Sequence, residues 1–196
     1  RRAAVMLLVN HGASPRGHVL DLACGKGAVA AASARSIGCR VTGIDAFAHG
    51  IRDVEVDDEV VALVKARKNV VLIPNMPDRG VKADYSWLKG SIPDGELAKI
   101  QGGATDRPQA QAAWGIQARN LKKLADAGMT IAVGTDGNTA WAPHVEMADM
   151  VASGMTTMQV IVAATKNGAD FLRMNDTGTI AAGKNADLLV LYGNPL

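Results

Sequence analysis

Two short stretches far apart in the chain carry residues that could together do hydrolytic chemistry. His49 stands in "AHGIRD" and Asp136 in "VGTDGN". Each follows an apolar, β-branched run of the kind that forms a buried strand, which places both at strand ends. An imidazole nitrogen and a carboxylate oxygen are ordinary Zn2+ ligands. A carboxylate beside such an ion can also take a proton from bound water, whose pKa the metal lowers to about 7. His49 is thus a candidate metal ligand, and Asp136 a candidate metal ligand and catalytic base.

A second constellation lies earlier. "VLDLACGKGAV" has the pattern of a strand, a glycine-rich turn and a helix start. Gly25 and Gly27 let the backbone approach a ligand closely, and the helix amino end offers free N–H groups. Asp45, in "VTGID", comes eighteen residues after Gly27. An acid at about that distance, at the end of the next strand, suits a pair of ribose hydroxyls. A glycine turn kept for packing alone has the same pattern.

The elements that would position these residues alternate regularly. "HVLDLA", "CRVTGID", "NVVLIP" and "MTIAVGTD" are the expected strands. Helices are expected over residues 28–37, from Asp57 or Asp58 to about Lys68, over 108–127, 144–153 and 156–172. Residues 74–105 carry much of the glycine and proline and are expected as a long excursion without strong periodicity. "GTIAAGKNADLLVLYGNPL" has the pattern of two short strands around the turn "AAGKN". The expected fold is a single α/β domain over residues 1–196: about four parallel βα units, forming a partial TIM barrel or a Rossmann-like sheet, with a short C-terminal β-hairpin. Ligand sites in such folds lie at the carboxyl ends of the strands. Those ends are residues 23–27, 45–49, 74–77 and 135–138.

Two resemblances follow from these motifs. Residues 16–47, with "DLACGKG" and "VTGID", resemble the opening of class I S-adenosylmethionine-dependent methyltransferases. The resemblance implies that Asp21, Gly25 and Gly27 line the methionine end of S-adenosylmethionine and that Asp45 binds its ribose. Residues 48–196 resemble the C-terminal part of the amidohydrolase superfamily, near its imidazolonepropionase and prolidase-like members. The stretch from "AHGIRD" to "NVVLIP" is similar to that family's sixth barrel strand, sixth helix and seventh strand. "ADAGMTIAVGTDGN" is similar to its eighth strand, and "GTIAAGKNADLLVLYGNPL" to the chain's return to a small β-sandwich. This implies a Zn2+ or similar divalent metal held by His49 and Asp136, and hydrolysis of C–N bonds. His144, in "WAPHVEMADM", would lie on the following loop, where an exposed position is favoured over substrate contact. The family's metal centre also uses an HxH, a lysine and a further histidine. His11 and His18 do not form an HxH.

The simplest expectation is a chimera joined between Asp45 and His49: a methyltransferase-like start over 1–47, amidohydrolase-like βα units over 48–178, and an orphan hairpin over 179–196. Its activity would be that of a weak or inactive amidohydrolase-like hydrolase. The alternatives are an S-adenosylmethionine-binding module and a non-catalytic scaffold. Four strands of half a barrel leave an open apolar face, so a homodimer is expected.

The totals narrow the partners. A net charge of +2 and 4% aromatic residues give no basis for nucleic-acid binding, which leaves a small molecule as the expected ligand. Cys24 and Cys39 have no metal-binding spacing, and the expected compartment is the reducing cytoplasm. "AAVMLLV" falls far short of the roughly 20 apolar residues that span a bilayer, so no membrane is expected.

Overall fold

A computed structural model describes residues 46–66, 70–136 and 139–193. The first expected strand and helix, and with them Asp21, Gly25, Gly27 and Asp45, lie outside the described residues.

Three parallel strands form one sheet in the order β1 (Ala46–Ala48), β2 (Val71–Ile73), β3 (Thr130–Ile131). Ala46 pairs with Val71, and Val71 in turn with Thr130. The order is that of the sequence, with no reversal, which is the arrangement of successive barrel strands. The Rossmann-like alternative requires a reversal of strand order, and the described strands contain none. Leu72 and Ile131 are buried at the centre of the sheet.

Ala46–Ala48, immediately after the strand expected to end at Asp45, are themselves strand. The apolar "AFA" pairs with β2, and Ala46 is buried. His49 therefore stands at the carboxyl end of β1.

Helix α1 (Asp58–Ala66) begins as expected: the Val60 amide donates to Asp57 Oδ1 at 2.9 Å. Val60, Val61 and Val64 pack on the core. The excursion over 74–105 contains a 3-10 turn (Ser86–Leu88) and a helix, α2 (Asp94–Gly103). Helix α2 buries none of its residues, so no apolar period marks it in the sequence. Helix α3 (Pro108–Asp126) starts with proline in its first turn, buries Leu121 and Leu124, and ends at Gly128 with φ +90°. Helix α4 (Ala142–Ala152) follows β3. Helix α5 (Thr157–Val162) is capped reciprocally by Thr156 and Gln159, then widens into a π turn (Ala163–Asn167) before α6 (Gly168–Phe171). The helix expected over 156–172 is thus one run with a π segment inside it.

Helix α1 packs on α3, α3 on α4, and α4 on α5, so the helices follow one another around the sheet as the strands do. Leu121, Met150 and Val160 join Leu72 and Ile131 in one core. The expected hairpin at the end of the chain does not form: residues 179–193 contain no strand. Ile180, Leu189 and Val190 are almost fully exposed there. A two-stranded hairpin with no third strand or apolar face to cover it is marginal in water. Among the described residues no helix is long and apolar enough to cross a membrane.

Candidate metal-binding rim

His49 leaves β1 in the left-handed region, with φ +70°. Histidine is one of the few side chains enriched there. Two bonds continue the sheet past the strand and hold this backbone: the His49 amide donates to the Ile73 carbonyl at 2.9 Å, and the Gly50 amide to the Pro74 carbonyl at 2.8 Å. Gly50 has no room for a side chain, because a Cβ there would sit 2.6 Å from Gln117 Nε2. Gln117, buried on α3, donates to the Pro74 carbonyl at 2.7 Å. The segment that follows is tied to the same helix. Asn120 Nδ2 donates to the carbonyls of Ile51 and Val54, and Asn120 Oδ1 accepts from the Val56 amide. Lys123 donates to the Val56 carbonyl at 2.8 Å. One face of α3 thus fixes the path of the chain after His49.

The β2 exit is held from the other side. Asn75 is left-handed, with φ +44°. The next amide, of Met76, donates to Glu146 Oε2 on α4 at 2.8 Å. Glu146 is 4% exposed. Burial pushes its carboxyl up to about 7, and the nearby Asp149 charge adds to the rise, while the backbone donors Met76 and Asn75 oppose it. One helical turn on, Asp149 forms an ion pair with Arg79, and burial also raises the Asp149 carboxyl against the opposing pull of that guanidinium. Arg79 also donates to the Ala148 carbonyl at 3.1 Å and lies over the Trp114 ring, 5.3 Å from its centre.

At the β3 exit the Ala132 amide still donates to the Leu72 carbonyl, and the Val133 amide donates to the Ala163 carbonyl inside the π turn. Asn167, also in that turn, donates to the Ile131 carbonyl at 2.8 Å. Gly134 must be glycine, since a Cβ would collide with Ile73 Cγ2. Asp136 follows, with its side chain 80% exposed. Its Oδ2 lies 3.9 Å from His49 Nε2.

The parallel sheet therefore brings His49 and Asp136 to one rim. Two ligands bonded at about 2.0–2.1 Å to a tetrahedral ion stand ~3.4 Å apart. The observed pair is close to that, and both side chains reach solvent. They fit as two ligands of one divalent ion. Among the described residues no group of three His, Cys, Asp or Glu side chains could hold a metal, so the pair does not complete a centre by itself.

His144 is exposed in the first turn of α4, its ring edge-on to Trp87 at 6.1 Å between centres. The sequence pointed to neither Glu146 nor Asn75. Their signals are faint: in "HVEMADM" an acid pair three apart lies on one helix face among apolar residues, and "PNMP" offers a lone turn residue between prolines.

The fold is that of successive units of an α/β barrel, and sequence comparison gives the family. The profile of the amidohydrolase family matches residues 42–195, and the chain belongs to that family. It is 30% identical over 119 residues to an imidazolonepropionase of Deinococcus deserti, covering 58% of this chain and 30% of that protein. It is 31% identical over 108 residues to a 5-methylthioadenosine/S-adenosylhomocysteine deaminase of Moorella thermoacetica, covering 48% of this chain and 25% of that one. In structure it is similar to the ochratoxinase of A. niger, with a TM-score of 0.55 at 25% identity over 86% of this chain and 34% of the other. The chain thus spans about a third or less of the length of these relatives. The family match begins at residue 42, before Asp45 and not after it. The methyltransferase resemblance, and with it a chimeric origin, has no support in these comparisons.

Proposed function

We propose that the chain carries part of the metal centre of a hydrolase that cleaves C–N bonds, with His49 and Asp136 as two of the ligands. The observation that carries this is the 3.9 Å approach of His49 Nε2 to Asp136 Oδ2 on the shared rim. A divalent ion, when bound, supplies an acidified water at neutral pH. His49 contributes a ring nitrogen from a backbone held at Ile73 and Pro74. Asp136 contributes an open carboxylate oxygen that takes a proton from the attacking water and returns it to the leaving nitrogen. The imidazolonepropionase relatives favour an amide-type C–N bond as the substrate class. With two described ligands, the chain alone is a weak or inactive hydrolase, and pairing of two chains is one way to add ligands.

The experiment is zinc analysis of the purified chain, dialysed against Zn2+, beside Asp136→Ala and His49→Ala. Bound zinc in the wild type and its loss in both variants are expected. A wild-type chain that retains no zinc sinks the proposal. Sedimentation with and without zinc tests the dimer.

A further inference from the structure

The rim's middle strand exit is held by a group that is absent from the proposed chemistry. The Pro74–Asn75–Met76 turn lies between the exits that carry His49 and Asp136. Asn75 is in the left-handed region, which asparagine adopts more readily than most side chains. Gln117 holds the peptide before it, through the Pro74 carbonyl. The peptide after it is held by Glu146, through the Met76 amide. That second contact joins residues 70 apart, and it links the β2 exit to the helix that follows Asp136.

The carboxyl is an unusual choice for a simple peg. Only Oε2 has a partner, and Oε1 is buried without one. The Oδ1 of Asn75 is likewise buried and unpartnered. An ionised Glu146 would hold a buried charge against the backbone donors of Met76 and Asn75 alone, whereas a protonated one keeps the Met76 bond and sheds that charge. The charged group that acts on it is Asp149 on its own helix; Asp149 is in turn paired with Arg79 from the β2 exit and feels Asp78, which pairs with Arg107.

We propose that Glu146 is the positioning residue of this rim: a buried carboxyl that pins the Asn75–Met76 peptide to α4 and so fixes the β2 exit between His49 and Asp136. It touches neither of the two proposed ligands and acts through the turn. The proposal rests on the metal-site reading only in naming this rim as the functional one.

Its consequence is a pH-dependent hold. The closed turn favours the protonated carboxyl, which titrates at about 7 when buried, against an ordinary value near 4.5 once opened to water. Raising the pH through neutrality therefore favours opening.

The test is amide hydrogen exchange by NMR on the whole chain from pH 5.5 to 8.5, corrected for the intrinsic rate, with the core amide of Ala132 as internal reference. In the wild type, Met76 protection is expected to fall by about tenfold or more between pH 6 and 8, as a charge left in a buried site drives local opening. In Glu146→Gln, which keeps an acceptor but does not titrate, the profile should be flat. In Glu146→Met, Met76 protection should be lost at every pH. A flat wild-type profile overturns the proposal, and that measurement needs no variant to fold. Full Met76 protection in Glu146→Met overturns it as well. None of these readings uses metal, so failure here is distinct from failure of zinc binding.

Discussion

Removing the side chain of Asn120 should loosen the chain that follows His49, and the structure sets the size of the effect. Asn120 is 1% exposed on α3. Its Oδ1 accepts from the Val56 amide at 2.7 Å, and its Nδ2 donates to the Ile51 carbonyl at 2.9 Å and the Val54 carbonyl at 2.8 Å. In Asn120→Ala the Val56 amide loses its acceptor at a residue only 4% exposed, which costs about 1–3 kcal/mol. The Ile51 carbonyl, at a half-buried residue, loses a bond worth about 1 kcal/mol. Val54 is 58% exposed, so water replaces its lost partner at little cost. Lost packing around the shortened side chain adds about 1 kcal/mol, for a total of about 3–5 kcal/mol. Urea unfolding at pH 7, followed by tryptophan fluorescence, measures it. Asn120→Asp separates hydrogen bonding from volume. It keeps the acceptor for Val56 but turns a carboxylate oxygen toward two carbonyl oxygens, so it should cost at least as much at pH 7 as the alanine. Protonation restores a donor, so its stability should recover toward wild type as the pH falls. A cost below about 1 kcal/mol for the alanine, or an aspartate variant that does not recover in acid, would refute the reasoning.

Two further outcomes are expected. The buried Glu146 titrates at about 7 when folded and near 4.5 when unfolded, so its contribution to stability is complete below the lower value and is lost as the pH rises through the upper. At 1.36 kcal/mol per unit this amounts to about 3 kcal/mol, and the wild-type minus Glu146→Gln difference in unfolding free energy should fall by that order between pH 4.5 and 8; a level difference would contradict it. Gly134→Ala should destabilise by about 1–3 kcal/mol through collision with Ile73, and a variant as stable as wild type by thermal unfolding would show that the β2 and β3 exits are not packed as described.

Much of the architecture was written in local pattern. Asp57 ahead of a valine-rich run marked α1, Pro108 and Gly128 bracketed α3, and β-branched runs marked the strands, because capping, proline and apolar spacing act within a few residues. Helix α2 escaped, since it buries nothing and so shows no period. The terminal hairpin failed for the opposite reason: its alternation was present, but the described residues offer it no third strand to pair with.

For the rim, the sequence by itself determined which residues could do chemistry and that they stand at strand ends. His49 and Asp136 were legible as candidate ligands because such groups are recognised by residue type and by the strands before them. Only the tertiary structure decided that β1 and β3 flank β2 in one parallel sheet and that the side chains of the two candidate ligands come within 3.9 Å. It also revealed Glu146, whose role lies in a single bond to an amide 70 residues away and in the loss of water around its carboxyl. Burial and long-range contact are properties of the packed chain, and no local spacing encodes them.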